Sequence, residues 1–354
     1  MGTSRQDSPT GETPSSSGAE SLFVGIDVGG TNIKVGIVDG QGRVVDNCSL
    51  STQPEHHPSV SFQQTKEQID QLLSNNNRIW KQVAAVGLGT PGPMDLKAGC
   101  LLNPSNLPGW HNINVRNLLA EIVQRPVTLA NDAGAAAYGE YWVGSGHLYD
   151  SLVLLTLGTG VGGGIIINGF SLDGQHSHGA ELGHLTIDSS SSARLCGCGQ
   201  LGHLEAYASA SAFVERTLER LASTEQAEKK SVLHQRQSDG KPITAREIAI
   251  AAEDGDTLSL EIIAETAGYL GRGIADLAHV LDPAVFILGG GMDFGGANSS
   301  LGQMFLKQTL AATQKLVFPV LANNLKLKFA TLGGDAGFIG AAGLAERDFA
   351  AGNR

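Results

Sequence analysis

Apolar residues along this chain come in two patterns: short dense runs that end in glycines, and longer stretches in which they recur every three or four positions. The runs predict strands and the spaced stretches predict helices. Residues 22–45, LFVGIDVGGTNIKVGIVDGQGRVV, read as strand, glycine turn and strand, closed by a turn at Asp39-Gly40. A helix is predicted over 62–77, with Ile69, Leu72 and Leu73 on one face, then a short apolar strand over 83–89 halted by Thr90-Pro91-Gly92-Pro93. A helix over 115–123 and a strand over 127–130 lead into Asn131-Asp132 and a helix of small residues over 133–142.

A second strand, glycine turn and strand, LVLLTLGTGVGGGIIING, spans 152–169. Residues 173–205 are loop-like. Helices are predicted over 206–222, 244–254 and 256–281, with a polar excursion over 224–240. A buried strand over 284–292, a helix near 301–315, a strand near 325–331 and a helix over 338–347 complete the series. Strands mixed with helices along the whole chain define an α/β protein. The two strand-turn-strand units each carry Gly-Thr in the turn, Gly30-Thr31 and Gly158-Thr159, and read as echoes of one another.

The length of 354 residues suggests about two domains, and 41% hydrophobic residues suffice for a sizeable core. A net charge of -11, from 24 basic and 35 acidic residues, speaks against a protein that coats nucleic acid. Four cysteines speak against a disulfide-dense secreted domain. Residues 1–20 lack the apolar segment of a secretory signal, and their Ser, Thr, Gly and Pro predict a disordered tail. The longest uncharged run, 151–172, has the length of a membrane helix, but Gly158, Gly160, Gly162, Gly163 and Gly164 interrupt it. Two strands are expected there, no membrane segment, and a cytoplasmic location. Glycine is the outlier at 47 residues without a G-X-Y period, which predicts many tight turns or backbone close to a ligand.

Three glycine groups each follow an apolar strand directly: Gly29-Gly30, Gly158-Thr159-Gly160 and Gly289-Gly290-Gly291. Strand ends of open α/β sheets are where ligands bind, and glycine lets backbone N–H groups reach an anion without a Cβ in the way. In the first group Thr31, Asn32 and Lys34 add donors, and Asp27 at the strand's end is suited to a water of a magnesium shell. The spacing fits neither a Walker A loop nor a dinucleotide fingerprint, and each group alone also fits a plain glycine hairpin. Asn131-Asp132 has two readings as well. Both residues are favoured helix N-caps, and a carboxylate there is suited to general-base work.

The order of DVGGTNIKVG, GTPGP, NDAGAAAYGE, TLGTGVGGGI, GAELGH, CGCG followed by LE, and LGGGM resembles that of the ROK family of sugar kinases and related repressors, from residue 22 to about 347. The resemblance implies an actin-like ATPase (hexokinase/ribonuclease H-like) fold with two α/β lobes and a central cleft. It implies a small lobe of 21–131 plus 338–350 and a large lobe of 132–337, and phosphoryl transfer from ATP, with Mg2+, to a sugar hydroxyl. It makes Asp132 the general base, because a hydroxyl attacking phosphorus must give up its proton, and leaves Asn131 to cap the helix. It gathers Asn106, Asn131, Glu181, His184 and Glu205 around the sugar. It sets Asp27, Gly29, Gly30, Thr31, Asn32, Lys34, Gly158, Thr159, Gly160, Gly289, Gly290 and Gly291 around the nucleotide. The plainer roles are a solvated loop acid for Glu181 and a first-turn helix acid for Glu205.

His184, Cys196, Cys198 and His203 form H-x11-C-x-C-x4-H, a donor set suited to tetrahedral zinc. Buried inert thiols are the other reading of the cysteines. The family pattern has a further cysteine where this chain has His203, so the fourth ligand is open, with His176 and His178 as competitors. Zinc closed off by four protein ligands would be structural and would fix the loop carrying Glu181 and Glu205.

The expected function is transfer of the γ-phosphoryl group of ATP to the 6-hydroxyl of a hexose, glucose foremost. N-acetylmannosamine, N-acetylglucosamine or fructose are alternative acceptors, and another nucleotide or polyphosphate alternative donors. A sugar-responsive regulator is the alternative of another class. The family's repressors carry a helix-turn-helix domain before the first glycine turn, whereas about twenty polar residues precede it here. The expected partners are a hexose and a nucleotide, with no nucleic acid and no membrane, in a homodimer or homotetramer.

Overall fold

The structure, a computed structural model, describes residues 21–222 and 231–352. The tail expected over 1–20 and residues 224–230 of the polar excursion lie outside the described residues. In chain order the first half holds β1 (Leu22–Val28), β2 (Asn32–Asp39), β3 (Val44–Ser51), α1 (Pro58–Asn75), β4 (Val83–Thr90), β5 (Met94–Asp95), β6 (Cys100–Leu101), α2 (Val115–Val123), β7 (Val127–Asn131) and α3 (Asp132–Trp142). The second half begins with β8 (Ser151–Leu157), β9 (Val161–Ile167), β10 (Phe170–Ser171), α4 (Glu205–Ala208), α5 (Ala210–Ala222), α6 (Val232–Ser238) and α7 (Ala245–Glu253). It ends with α8 (Thr257–Leu281), β11 (Val285–Gly289), α9 (Ser300–Gln314), α10 (Pro319–Asn324), β12 (Leu327–Phe329) and α11 (Ala336–Ala350).

Two five-stranded sheets have the same plan, β3-β2-β1-β4-β7 and β10-β9-β8-β11-β12. In the first, β1 pairs antiparallel with β2 and parallel with β4; in the second, β8 pairs antiparallel with β9 and parallel with β11. The two strand-turn-strand units therefore hold equivalent places in a duplicated topology. Alternate residues of each strand face opposite sides, and each sheet is covered on both. Val24, Ile26, Val35 and Val86 pack on Phe62 and Ile69 of α1, while Phe23, Val38 and Ala85 face Phe338 and Ile339 of α11. In the second sheet Val153, Leu155 and Phe286 pack on Phe213 and Ile262, and Leu152, Leu154 and Ile287 face Ala135 and Tyr138 of α3.

A row of glycines seats α11. Gly36, Gly25 and Gly87 stand side by side on β2, β1 and β4. The Phe338 ring lies over Gly36, and a Cβ on Gly25 or Gly87 would fall 1.8 Å from the carbonyl oxygens of Phe338 and Ala341. The sheet is thus hollowed at its centre, and the chain's last helix drops into it. The same helix crosses α3 at backbone contact, where Gly340 meets the Ala135 carbonyl. These two helices form the layer between the sheets.

Several element bounds differ from the sequence reading. β3 was not expected, because as an outer strand it alternates between half-buried and exposed residues. α1 begins a turn early, since Pro58 suits a first helical turn and His57 Nδ1 accepts from the Ser59 N–H. The helix expected over 206–222 breaks at Ser209, whose Oγ accepts from the Ala212 N–H and caps α5. β11 stops at Gly289 because Gly290 turns to φ +91 and packs on the Leu157 backbone. α6 and α10 are short helices within stretches read as polar or irregular. No helix among the described residues is long and apolar enough to cross a membrane, and the uncharged run 151–172 forms β8, β9 and β10.

Candidate active site

A cleft of about 1090 Å³ takes its walls from both sheets. Asp27 to Gly29 after β1, Pro91 to Pro93 after β4 and Asn131 to Ala133 after β7 come from the first sheet. Thr156 to Gly158 after β8 and Gly289 to Gly291 after β11 come from the second. All lie at carboxyl ends of strands, the position where ligands bind in open α/β sheets.

Asn131 and Asp132 divide their work between helix and cleft. Asn131 is the N-cap of α3, and its Oδ1 accepts from the N–H groups of Ala133 (3.0 Å) and Gly134 (3.2 Å). Asp132, the first residue of the helix, lines the cleft and accepts from the Ala133 N–H at 2.8 Å. Burial raises the proton affinity of its carboxyl, and that N–H works against the rise. Asp27 shares the cleft. Its pKa is pushed up to about 6, first by burial and then by the charge of Asp132, with Lys34 pulling the other way. Gly337 lets the first turn of α11 close on Asp27, since a Cβ there would lie 2.3 Å from its Oδ2. Two carboxylates that strain to stay ionised suit proton transfer and also suit a hard divalent cation, which takes oxygen ligands.

Glu181 and His184 bracket a short 3-10 turn, Leu182–His184, after a backbone that passes through positive φ at Ser177 and Ala180. Glu205 opens α4, and its Oε2 accepts from the Val161 N–H at 3.0 Å. It fits because Gly160 has no side chain; a Cβ there would be 2.3 Å from Oε2. Glu181, His184 and Glu205 all line the cleft, as do Gly29, Gly158, Gly160 and the group Gly289 to Gly291.

Asn106, Gly30, Thr31, Asn32, Lys34 and Thr159 lie outside the cleft wall. Asn106 packs its Cβ against Gly30, and the Thr31 carbonyl accepts from the Thr52 N–H. Lys34 Nζ donates to the Gly334 carbonyl at 2.5 Å and lies 3.8 Å from Asp335 Oδ1. The cleft also contains residues to which the sequence reading gave no part in it: Gly333, Gly334, Asp293, Glu140, and His178, which was named there only as a competing zinc ligand. Leu332-Gly333-Gly334 repeats the pattern of Leu288-Gly289-Gly290 and was readable on that ground. Glu140 closes the motif NDAGAAAYGE, but the sequence reading gave it no role.

The ligand atoms of His184, Cys196, Cys198 and His203 all lie within 4.8 Å of one another. Cys198 Sγ is 3.2 Å from His203 Nδ1, and Cys196 Sγ is 3.9 Å from His184 Nδ1. Tetrahedral zinc with bonds of about 2.0–2.3 Å spaces its ligands roughly 3.3–3.8 Å apart, so the cluster has the donor types for that ion and comes near its spacing. A tight turn makes the cluster: Gly199, at φ +89, donates to the Cys196 carbonyl, and Cys196 donates to that of Gln200. His178 lies in the cleft wall instead, and neither it nor His176 belongs to the cluster. His184 belongs to both cleft and cluster.

The ROK family model matches residues 23–348, and the chain belongs to that family. It is 33% identical over 318 residues to the glucokinase of Halalkalibacterium halodurans, covering 90% of this chain and 93% of that one. Its structure is similar to that of a ROK hexokinase from Thermus thermophilus, with a TM-score of 0.75 and 30% identity over 93% of this chain and 99% of that one. It is also similar to a ROK family glucokinase from Streptomyces griseus, solved with glucose and AMPPNP, with a TM-score of 0.71 and 33% identity over 92% of this chain and 100% of that one. The duplicated sheets are thus those of the two-lobed, actin-like ATPase architecture of ROK kinases.

Proposed function

We propose that this chain is an ATP-dependent hexose kinase that phosphorylates the 6-hydroxyl of glucose. The observation that carries the reading is Asp132, a carboxylate of raised proton affinity held in the cleft by the first turn of α3. The glucokinase relatives, one of them solved with glucose and AMPPNP, support the acceptor and the donor.

The sugar hydroxyl donates a hydrogen bond to Asp132. As its oxygen bonds to the γ-phosphorus, the proton passes to the carboxylate and the bond to ADP breaks. Glu181, His184 and Glu205 offer acceptors and a ring nitrogen that can take adjacent hydroxyls in pairs. The glycine turns at 158–160 and 289–291 bring backbone N–H groups to the nucleotide. Asp27 would hold the shell of Mg2+, which neutralises charge on the phosphoryl group. His184, Cys196, Cys198 and His203 would hold structural zinc and fix the loop between Glu181 and Glu205. The separate cores of the two sheets, and α11 seated on the first, support a small lobe of 21–131 plus 338–350 and a large lobe of 132–337. A cytoplasmic location and a homodimer or homotetramer belong to the same proposal.

The test is a coupled ADP-release assay with Mg-ATP across glucose, fructose, mannose, N-acetylglucosamine and N-acetylmannosamine. Glucose is expected to give the highest kcat/KM, and Asp132→Asn to lose roughly 10²–10⁴-fold in kcat. A preference for an N-acyl sugar would reassign the substrate. No turnover on any sugar would overturn the reading.

A further inference from the structure

Glu140 stands about 12 Å along α3 from Asp132, at 1.5 Å of rise per residue, and is fully buried. Its carboxylate accepts five hydrogen bonds. Oε1 takes the backbone N–H groups of Thr331 and Leu332, each at 2.8 Å. Oε2 takes the Ser145 N–H at 2.7 Å, the Ser145 hydroxyl at 2.9 Å and the Thr331 hydroxyl at 3.2 Å. An ionised carboxylate only accepts, and every partner here is a donor, so the site is built for that group and no other side chain of its size.

Thr331 and Leu332 lead directly into Gly333-Gly334, which line the cleft. Lys34 on β2 holds the other end of the segment through the Gly334 carbonyl and Asp335. The connection from β12 to α11 is therefore fastened at both ends, to α3 and to the first sheet. The helix that carries Asp132 at its first residue carries the fastening of this part of the cleft wall two turns later.

We infer that Glu140 is a positioning residue that sets Gly333-Gly334 at a fixed distance from Asp132, so that donor phosphates and acceptor hydroxyl meet in register. This rests on the kinase reading for what the cleft holds. α3 is the rigid element between the two, since its backbone packs directly on α11 and cannot tilt without moving it.

The test is Glu140→Gln, which keeps the shape and replaces one acceptor oxygen with an NH2 facing donors. We expect the KM for Mg-ATP to rise about 10-fold or more and kcat to fall, with the KM for the hexose within about twofold. Thr331→Val removes one hydroxyl donor, keeps both backbone bonds and gives the same split to a smaller degree; it decides the question if Glu140→Gln does not fold. A lower Tm with both KM values unchanged, or an equal rise in both, overturns the inference. Absence of wild-type turnover would fail the kinase reading, whereas unchanged Mg-ADP affinity by calorimetry in both variants would fail this one.

Discussion

Asp27 keeps its proton up to about pH 6, where an ordinary aspartate loses it near 3.8. Burial and the neighbouring Asp132 make its charged form costly. The folded chain therefore binds a proton between those two values that the unfolded chain has shed. Stability falls as pH rises through that window, and above about 6 the cost of the charge is carried in full, roughly 3 kcal/mol for a shift of this size. Asp132 shifts in the same direction. Asp27→Asn is therefore expected to be more stable than the parent at pH 7.5, by about 1–3 kcal/mol, and to have a shallower stability gradient between pH 4 and 6, with the share of Asp132 remaining. Urea denaturation across pH measures both, and an unchanged gradient would refute the assignment. The same variant should lose activity, because a carboxylate this costly to the fold is kept for what it holds in the cleft.

At the scale of elements, the tip of the loop between Glu181 and Glu205, residues 195–201, depends on its cluster more than on packing. Cys196 is buried in it, but Leu195 and Leu201 beside it are exposed. Zinc content is expected to be about one ion per chain in the parent and in His203→Cys, and to fall in His203→Ala. With His203→Ala the KM for the hexose should rise about 10-fold or more, because His184 and Glu205 lose their anchor. Metal analysis beside kinetics checks this, and a metal-free His203→Ala with parental KM would remove the loop from the sugar site. The cluster and the glycine turns were legible in the sequence because each needs particular residue types at short spacing. Asp132 was legible for the same reason, sitting between a strand and a helix of small residues. The role of Glu140 was not, although it closes the motif that begins at Asn131, since its partners Thr331 and Leu332 lie 191 and 192 residues away. Lys34 was drawn to the nucleotide by its motif, yet the fold brings Gly334 and Asp335 to it first. Gly25 and Gly87 drew no comment as residues of apolar strands, and the seat of α11 explains them.

For the molecule as a whole, charge decides which phosphoryl donor the cleft accepts. Asp27, Asp132, Glu140, Glu181, Glu205 and Asp293 line it, and no lysine or arginine does among the described residues. The chain around it carries a net charge of -11. Near a protein surface, two unit charges at 4 Å interact by about 4 kcal/mol, so on the proposed reading a bare triphosphate would be repelled and a magnesium complex admitted. A nucleotide presents its charge at one end, where one divalent ion can mask it, and its base and ribose add neutral contact area. Polyphosphate carries charge along its whole length and needs a row of cations to follow it, which this cleft does not offer. With hexose saturating, long-chain polyphosphate is expected to support less than about 1% of the rate with Mg-ATP, a difference of about 2.7 kcal/mol in the barrier. Omitting Mg2+ should abolish the ATP reaction and adding it back restore it. A polyphosphate rate comparable to that with ATP would mean that cations from outside the cleft wall, Lys34 first among them, turn toward the donor when it binds.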